Sequence, residues 1–229
     1  MKYFNTLTFL LVITSLFSQR ITQELADFNT LDVATGVEVT LRQGNPKADI
    51  NVKKGDIEDL IVEVKGSELR IKFKNKRGWN WSNASRHATI DLYCGNLKSI
   101  ETSSGASVES DFTINTKHFA ADASSGSKIS VSVESNSFTA DISSGASVEV
   151  DGVTDALEVD ASSGASFKGI RMKAKEVNAD VSSGANIKVW STDKFVGDAS
   201  SGGSIKFKGN PKHTNIDSGK WSGGSIVKI

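Results

Sequence analysis

Five aspartates recur at one fixed place in the second half of the chain: Asp122, Asp141, Asp160, Asp180 and Asp198, each two residues before a serine pair. Carboxylates ligate hard cations and, in opposed pairs, supply the acid and base of glycoside cleavage. A catalytic pair needs two carboxyls whose surroundings drive their pKa values apart. A residue repeated at even spacing meets the same surroundings each time, so the row reads as a solvated charged face or, alternatively, a cation-binding stripe. Trp79 and Trp81 stand two apart in the polar loop Lys76-Arg77-Gly78-Trp79-Asn80-Trp81-Ser82-Asn83. Such a pair suits stacking on a sugar ring or anchoring a protein, unless it packs onto the fold itself. His87, His118 and His213 fall in unrelated contexts, and with the single Cys94 they do not make a zinc ligand set or a disulfide. They read as surface or turn residues and a small buried thiol. No catalytic residue, metal site or cofactor is expected.

The chain has 229 residues, with 27 basic and 27 acidic side chains and no formal net charge. That balance removes the electrostatic case for binding nucleic acid or an anionic membrane. With 38% hydrophobic and 24% charged residues the chain can fold rather than stay disordered. The skew is toward serine, 32 residues against 2 prolines.

Lys2 precedes an apolar run over residues 7–17 that ends near small Ser18. Eleven helical residues span about 16 Å, short of the ~20 residues a bilayer requires. Residues 1–18 therefore read as a secretory signal peptide, leaving Gln19 first. Loss of Lys2 takes the charge to 26 basic against 27 acidic, or −1. No later segment reaches spanning length, so the mature chain is expected in the periplasm, on the cell surface or outside the cell.

Ser-Ser-Gly recurs with its glycine at Gly105, Gly126, Gly145, Gly164, Gly184 and Gly202, and Trp221-Ser222-Gly223 closes the series; the spacings are 21, 19, 19, 20, 18 and 21 residues. Apolar and polar residues alternate on both sides of each glycine, as in Leu157, Val159 and Ala161 before Gly164, and Ile187 and Val189 after Gly184. Period two means strands with one buried face. A unit of about 20 residues with two such strands is one coil of a parallel β-solenoid, which buries its apolar face only by stacking on its neighbours. Seven coils at ~4.8 Å make a rod of about 30–35 Å. The glycines are read as structural turn residues, held by positive φ and by coil stacking together. Lys168, Lys188 and Lys206 form a basic row like the acidic one.

Residues 19–100 lack the serine repeat but alternate as strands, broken at Gly36, Gly44-Asn45-Pro46, Gly55-Asp56, Gly66-Ser67 and Gly95-Asn96. This segment is expected to cap the solenoid's open end or to form irregular first coils. Residues 19–229 are taken as one all-β domain, irregular over 19–100 and regular over 101–229.

The ending, Ile205-Lys206-Phe207-Lys208-Gly209-Asn210-Pro211-Lys212 with Ser218-Gly219 and Ser222-Gly223-Gly224-Ser225-Ile226, resembles that of the head GIN domain family, exported bacterial proteins described as auto-transporter adhesins. The opening is similar too: Phe28, then Gly36-Val37-Glu38-Val39 and Leu41-Arg42-Gln43-Gly44, followed by Leu97-Lys98-Ser99-Ile100. The likeness spans roughly residues 25–229. It departs in the turns, which read Ser-Ser-Gly-Ala-Ser without the family's frequent Gly-Asp, and at Cys94, where proline is common. The resemblance implies a right-handed parallel β-helix and transfers no catalytic residues.

The functional expectation is an exported, non-catalytic β-helix acting by surface contact, adhesin-like or as an envelope interaction module, with an envelope protein or a glycan as partner. The alternatives are a carbohydrate-binding module and, further off, a polysaccharide lyase or hydrolase, whose site needs a non-repeating cluster of carboxylates, lysines or arginines in a groove. Arg42, Arg70, Arg77, Arg86 and Arg171 show no legible partners in the sequence.

Overall fold

A computed structural model describes residues 19–74, 86–218 and 223–229. The predicted signal peptide, the Trp79–Trp81 loop and Trp221 lie outside the described residues. In chain order the strands are β1 (Gln19–Glu24), β2 (Thr30–Val33), β3 (Val37–Gln43), β4 (Lys47–Lys54), β5 (Leu60–Lys65), β6 (Glu68–Phe73), β7 (His87–Cys94), β8 (Ser99–Thr102) and β9 (Ser107–Asn115). There follow β10 (His118–Ala123), β11 (Lys128–Ile142), β12 (Ser147–Ala161), β13 (Ser166–Val181), β14 (Asn186–Ala199), β15 (Ser204–Lys208), β16 (His213–Asp217) and β17 (Ser225–Lys228). One 3-10 turn, Ile57–Asp59, precedes β5. No described helix is long and apolar enough to cross a membrane.

From β8 onward the chain winds as a parallel β-helix. Strands running into the serine turns stack as one sheet, the approach sheet; strands leaving them stack as a second, the departure sheet. Each of β11 to β14 is a single strand of 14–16 residues that passes from the departure sheet of one coil to the approach sheet of the next. Equivalent residues fall in register: Ile129, Val148, Phe167, Ile187 and Ile205 form one inward ladder. All five are fully buried, in a core continuous from Phe28 to Phe207. The alternation read from the sequence is thus the inside and outside of the coil. Larger and smaller inward residues interlock: the ring of Phe167 occupies the space a side chain at Gly169 would need, its Cε1 only 2.5 Å from where a Cβ would sit. Phe119 and Phe138 meet at 5.5 Å, and Phe195 stacks on Phe207 at 4.1 Å.

The N-terminal segment contributes both coils and a cap. β2 and β3 form a regular coil whose Thr35-Gly36 turn underlies the Ser104-Gly105 turn, and they pair parallel with β8 and β9. Although later in the chain, β6 and β7 lie outside that coil, parallel to β2 and β3. Their outer edges are closed by antiparallel strands, β5 on β6 and β4 on β7, with β1 on β4. Covering an open edge in this way removes a template for aggregation.

The turns carry more constraint than glycine alone. The second serine of each pair is also left-handed: Ser104, Ser125, Ser144, Ser163, Ser183 and Ser201 have φ between 47° and 53°. Two successive positive φ values with an i+3 to i bond, such as Ala165 N–H to Ser162 O at 3.0 Å, are the signature of a type I′ turn. The coils also join through these turns, because the N–H of each turn glycine from Gly105 to Gly184 donates to the left-handed serine carbonyl of the next coil. The expectation that stacking confines the glycine side is corrected: a Cβ built at Gly105, Gly126, Gly145, Gly164, Gly184 or Gly202 meets nothing within 4 Å. That position faces solvent, so backbone conformation alone selects glycine there. Gly223 has φ +71° as well.

Candidate functional site

The approach sheet presents the aspartate row. Strand register places Asp122 beside Asp141, Asp141 beside Asp160, Asp160 beside Asp180 and Asp180 beside Asp198. The row continues where sequence reading had not carried it. Glu101 stands next to Asp122 and Asp32 next to Glu101, while Asp217 follows Asp198. The five aspartates with these three make eight consecutive carboxylate positions, one per strand and ~4.8 Å apart. Arg70 closes the N-terminal end, its Nε 3.4 Å from Asp32. Glu101 and Asp32 were detectable: each lies four residues before its turn glycine, Gly105 and Gly36, as Asp122 does before Gly126. The signal was hidden by Glu replacing Asp and by Thr-Gly replacing Ser-Gly.

All of these but Asp217 line a groove of about 530 Å³ whose other wall is formed by the first serine of each turn, from Ser103 to Ser200. Asp122 and Asp180 are half-buried while Asp141, Asp160 and Asp198 are exposed. Desolvation by the groove walls pushes half-buried Asp122 and Asp180, and also the more exposed Asp160, above the usual aspartate range, and neighbouring carboxylates add to the effect, Asp141 on Asp122, Asp180 on Asp160 and Asp198 on Asp180. Burial also raises Asp32 and Glu101, against the opposing pull of Arg70. The shifts share one direction and one cause. A row of this kind attracts positive charge without dividing the roles of acid and base between two groups. Among the described residues no group of three or more His, Cys, Asp or Glu converges to hold a metal ion.

The other candidates are dispersed. His118 Nδ1 lies 2.7 Å from Ser137 Oγ of the neighbouring coil, and His87 and His213 lie at opposite ends of the fold. Cys94 is buried, and desolvation pushes its thiol up to about 12. The arginines do have partners: Arg42 bridges Asp91 and Asp111, Arg171 bridges Asp151 and Glu149, and Arg70 pairs with Glu68 as well as Asp32. Exposed pairs of this sort, most of them between adjacent strands, add little to stability. The lysine row, Lys168 beside Lys188 beside Lys206, lies on the departure sheet, apart from the carboxylates.

A family model described as "Putative auto-transporter adhesin, head GIN domain" matches residues 27–211. No curated protein matches the chain. Among solved structures, the chain resembles a putative adhesin from Bacteroides fragilis at 17% identity, with 93% of this chain and 98% of that one covered and a TM-score of 0.78. It also resembles a putative adhesin from Parabacteroides distasonis at 15% identity, covering 92% and 96%, with a TM-score of 0.73. A putative lipid binding protein from the same species aligns at 17% identity over 92% and 96%, with a TM-score of 0.64. At these identities the likeness is one of fold.

Proposed function

The chain belongs to the head GIN domain family, and from that premise we propose that it is an exported, non-catalytic β-helix that works by surface contact, as an adhesin-like or envelope interaction protein. Residues 1–18 are removed after Ser18, so that the exported chain opens on Gln19, the first residue of β1. The observation that carries the reading is the layout of the groove. Its charged groups come one per coil, in register, from Asp32 to Asp198. Repetition of one group along a rod offers a partner many equal contacts rather than one reactive point.

Cells lacking the protein test this. They should attach less well to glycan- or protein-coated surfaces, or show a weakened envelope, and the intact gene should restore both. Unchanged attachment, unchanged envelope integrity and no partner recovered by cross-linking would overturn the reading. Mass spectrometry of the exported protein should give an N-terminal peptide that starts at Gln19 or its pyroglutamate form; an intact Met1 would overturn the export step.

A further inference from the structure

The outward side chains of the departure sheet form a regular grid across three neighbouring coils. Pairing puts Lys168 beside Lys188 and Lys188 beside Lys206; one column further along, it puts Lys173 beside Trp190 and Trp190 beside Lys208. The Lys208 and Lys173 ammonium groups lie 4.1 and 5.7 Å from the Trp190 ring centroid. Lys168, Lys188 and Lys206 are exposed along a shallow hollow of about 280 Å³. Two exposed aliphatic residues border the grid, Val153 beside Lys173 and Val227 beside Lys206.

The charge of this face is unusual for the molecule. Arg42 and Arg70 are held by carboxylates elsewhere, and Glu149 and Asp151, on the adjoining strand, are both engaged by Arg171. Among the described residues none of the five grid lysines forms an ion pair with a carboxylate. Like charges one strand apart repel, and in strand register only Lys168 of the row has a carboxylate beside it, Glu149, which Arg171 engages.

A ligand using the whole grid needs a flat, partly apolar ring to lie on the indole and negative charges repeated along its length to follow the lysines. We propose that this lysine–tryptophan face binds an anionic polysaccharide, a chain of uronate- or sulfate-bearing sugars laid across the coils with one ring on Trp190. Lys208 and Lys173 hold the indole by cation–π contact, and a sugar ring stacking on it displaces the more distant Lys173 ammonium, which turns to the sugar's charge. The chain's net charge is zero, so attraction is local to this face rather than the broad positive field nucleic acid requires. The carboxylate groove on the approach sheet repels a polyanion and so confines it to the departure sheet. A second copy docking its carboxylate row here fits less well. The groove offers serine hydroxyls where Trp190 calls for a flat apolar partner, and its row is longer than the three-lysine line.

The inference deepens the contact reading and rests on it for its setting. Its test uses the purified protein with two probes, polygalacturonate and dextran sulfate, and two neutral controls, fully methyl-esterified polygalacturonate and dextran, at low and high salt. The charged polymers should bind, more weakly as salt rises, and the neutral ones should not. The arm that binds more tightly tells uronate from sulfate recognition. Lys188→Gln with Lys206→Gln, and separately Trp190→Ala, should each weaken binding about fivefold or more, while Trp190→Phe keeps most of it and Asp160→Asn in the groove does not weaken it. All substituted side chains point outward, and circular dichroism checks that each variant is folded. Absence of binding to both charged polymers, equal binding of the neutral ones, or indifference to the lysine and tryptophan changes overturns the site. Self-association of the parent that the lysine changes abolish, without polymer binding, would make a second copy the occupant instead. Shortening of the polymer would contradict the contact reading itself, which loss of binding alone does not.

Discussion

The backbone N–H of Gly164 donates to the carbonyl oxygen of Ser183 in the next coil at 3.0 Å, and both residues are left-handed, with φ of 74° and 50°. The same relation recurs along the stack of turns, so the conformation that closes each coil also fastens it to the following one. For serine that conformation is unfavourable, because its Cβ crowds the backbone. The stack of hydrogen bonds holds it in place.

Gly164→Val is expected to cost about 1–3 kcal/mol through backbone strain alone, since the new side chain meets open space. Ser163→Asn is expected to add about 0.5–1 kcal/mol, because asparagine tolerates φ near 52° better than serine. Urea unfolding measures both. A loss well above 3 kcal/mol for the valine variant would mean that stacking confines the turn after all.

Ser127 replaces the alanine or glycine found at its ladder position in other coils, and it is buried. Its hydroxyl donates to the Thr102 carbonyl at 2.9 Å, lies 2.9 Å from Thr102 Oγ1 and accepts from Ser124 N–H at 3.1 Å. Ser127→Ala alone should cost about 1–3 kcal/mol by stranding Thr102 Oγ1 in the core. Adding Thr102→Val should recover most of that loss, since both partners then match the apolar ladder. A double-mutant cycle with no coupling would contradict this.

The carboxylate row should make stability rise as pH falls. Asp122, Asp160 and Asp180 bind protons more tightly folded than unfolded, so their ionisation destabilises the fold as pH rises through the range just above the ordinary carboxylate value of about 4. Asp155, held down by Lys175, and Glu63, held down by Lys65, work in the opposite direction. Asp160→Asn should therefore stabilise the protein at pH 7 by a few tenths to about 1 kcal/mol and flatten the acid-side rise. Thermal melts from pH 4 to 8 read this; an asparagine variant less stable at pH 7 would refute it.

Cys94 should resist alkylation in the folded protein, being buried with its thiol pushed up to about 12. Rapid labelling by iodoacetamide at pH 8 without denaturant would contradict its place in the core.

Much of this fold was legible because a helical stack of coils converts period in sequence directly into ladders in space. The spacing of Gly105 to Gly202 marked the coils, and alternation around Leu157, Val159 and Ala161 gave the inward face. The left-handed serines were not legible, since serine rarely adopts that conformation and only the stack of turn hydrogen bonds requires it. Nor was the outward position of β6 and β7, which pair parallel with strands that precede them and so leave no local trace. The lysine row was visible as a period, but Lys173 comes beside Trp190 only through the irregular register after Gly169, which no spacing rule anticipates.

The contact function is tested most directly by incubating the protein with a panel of bacterial and host polysaccharides and reading retention and newly formed sugar ends in the same samples. Retention of one or more polymers with no rise in sugar ends is the expected result. New sugar ends, growing with time and protein concentration, would contradict it and make this β-helix an enzyme.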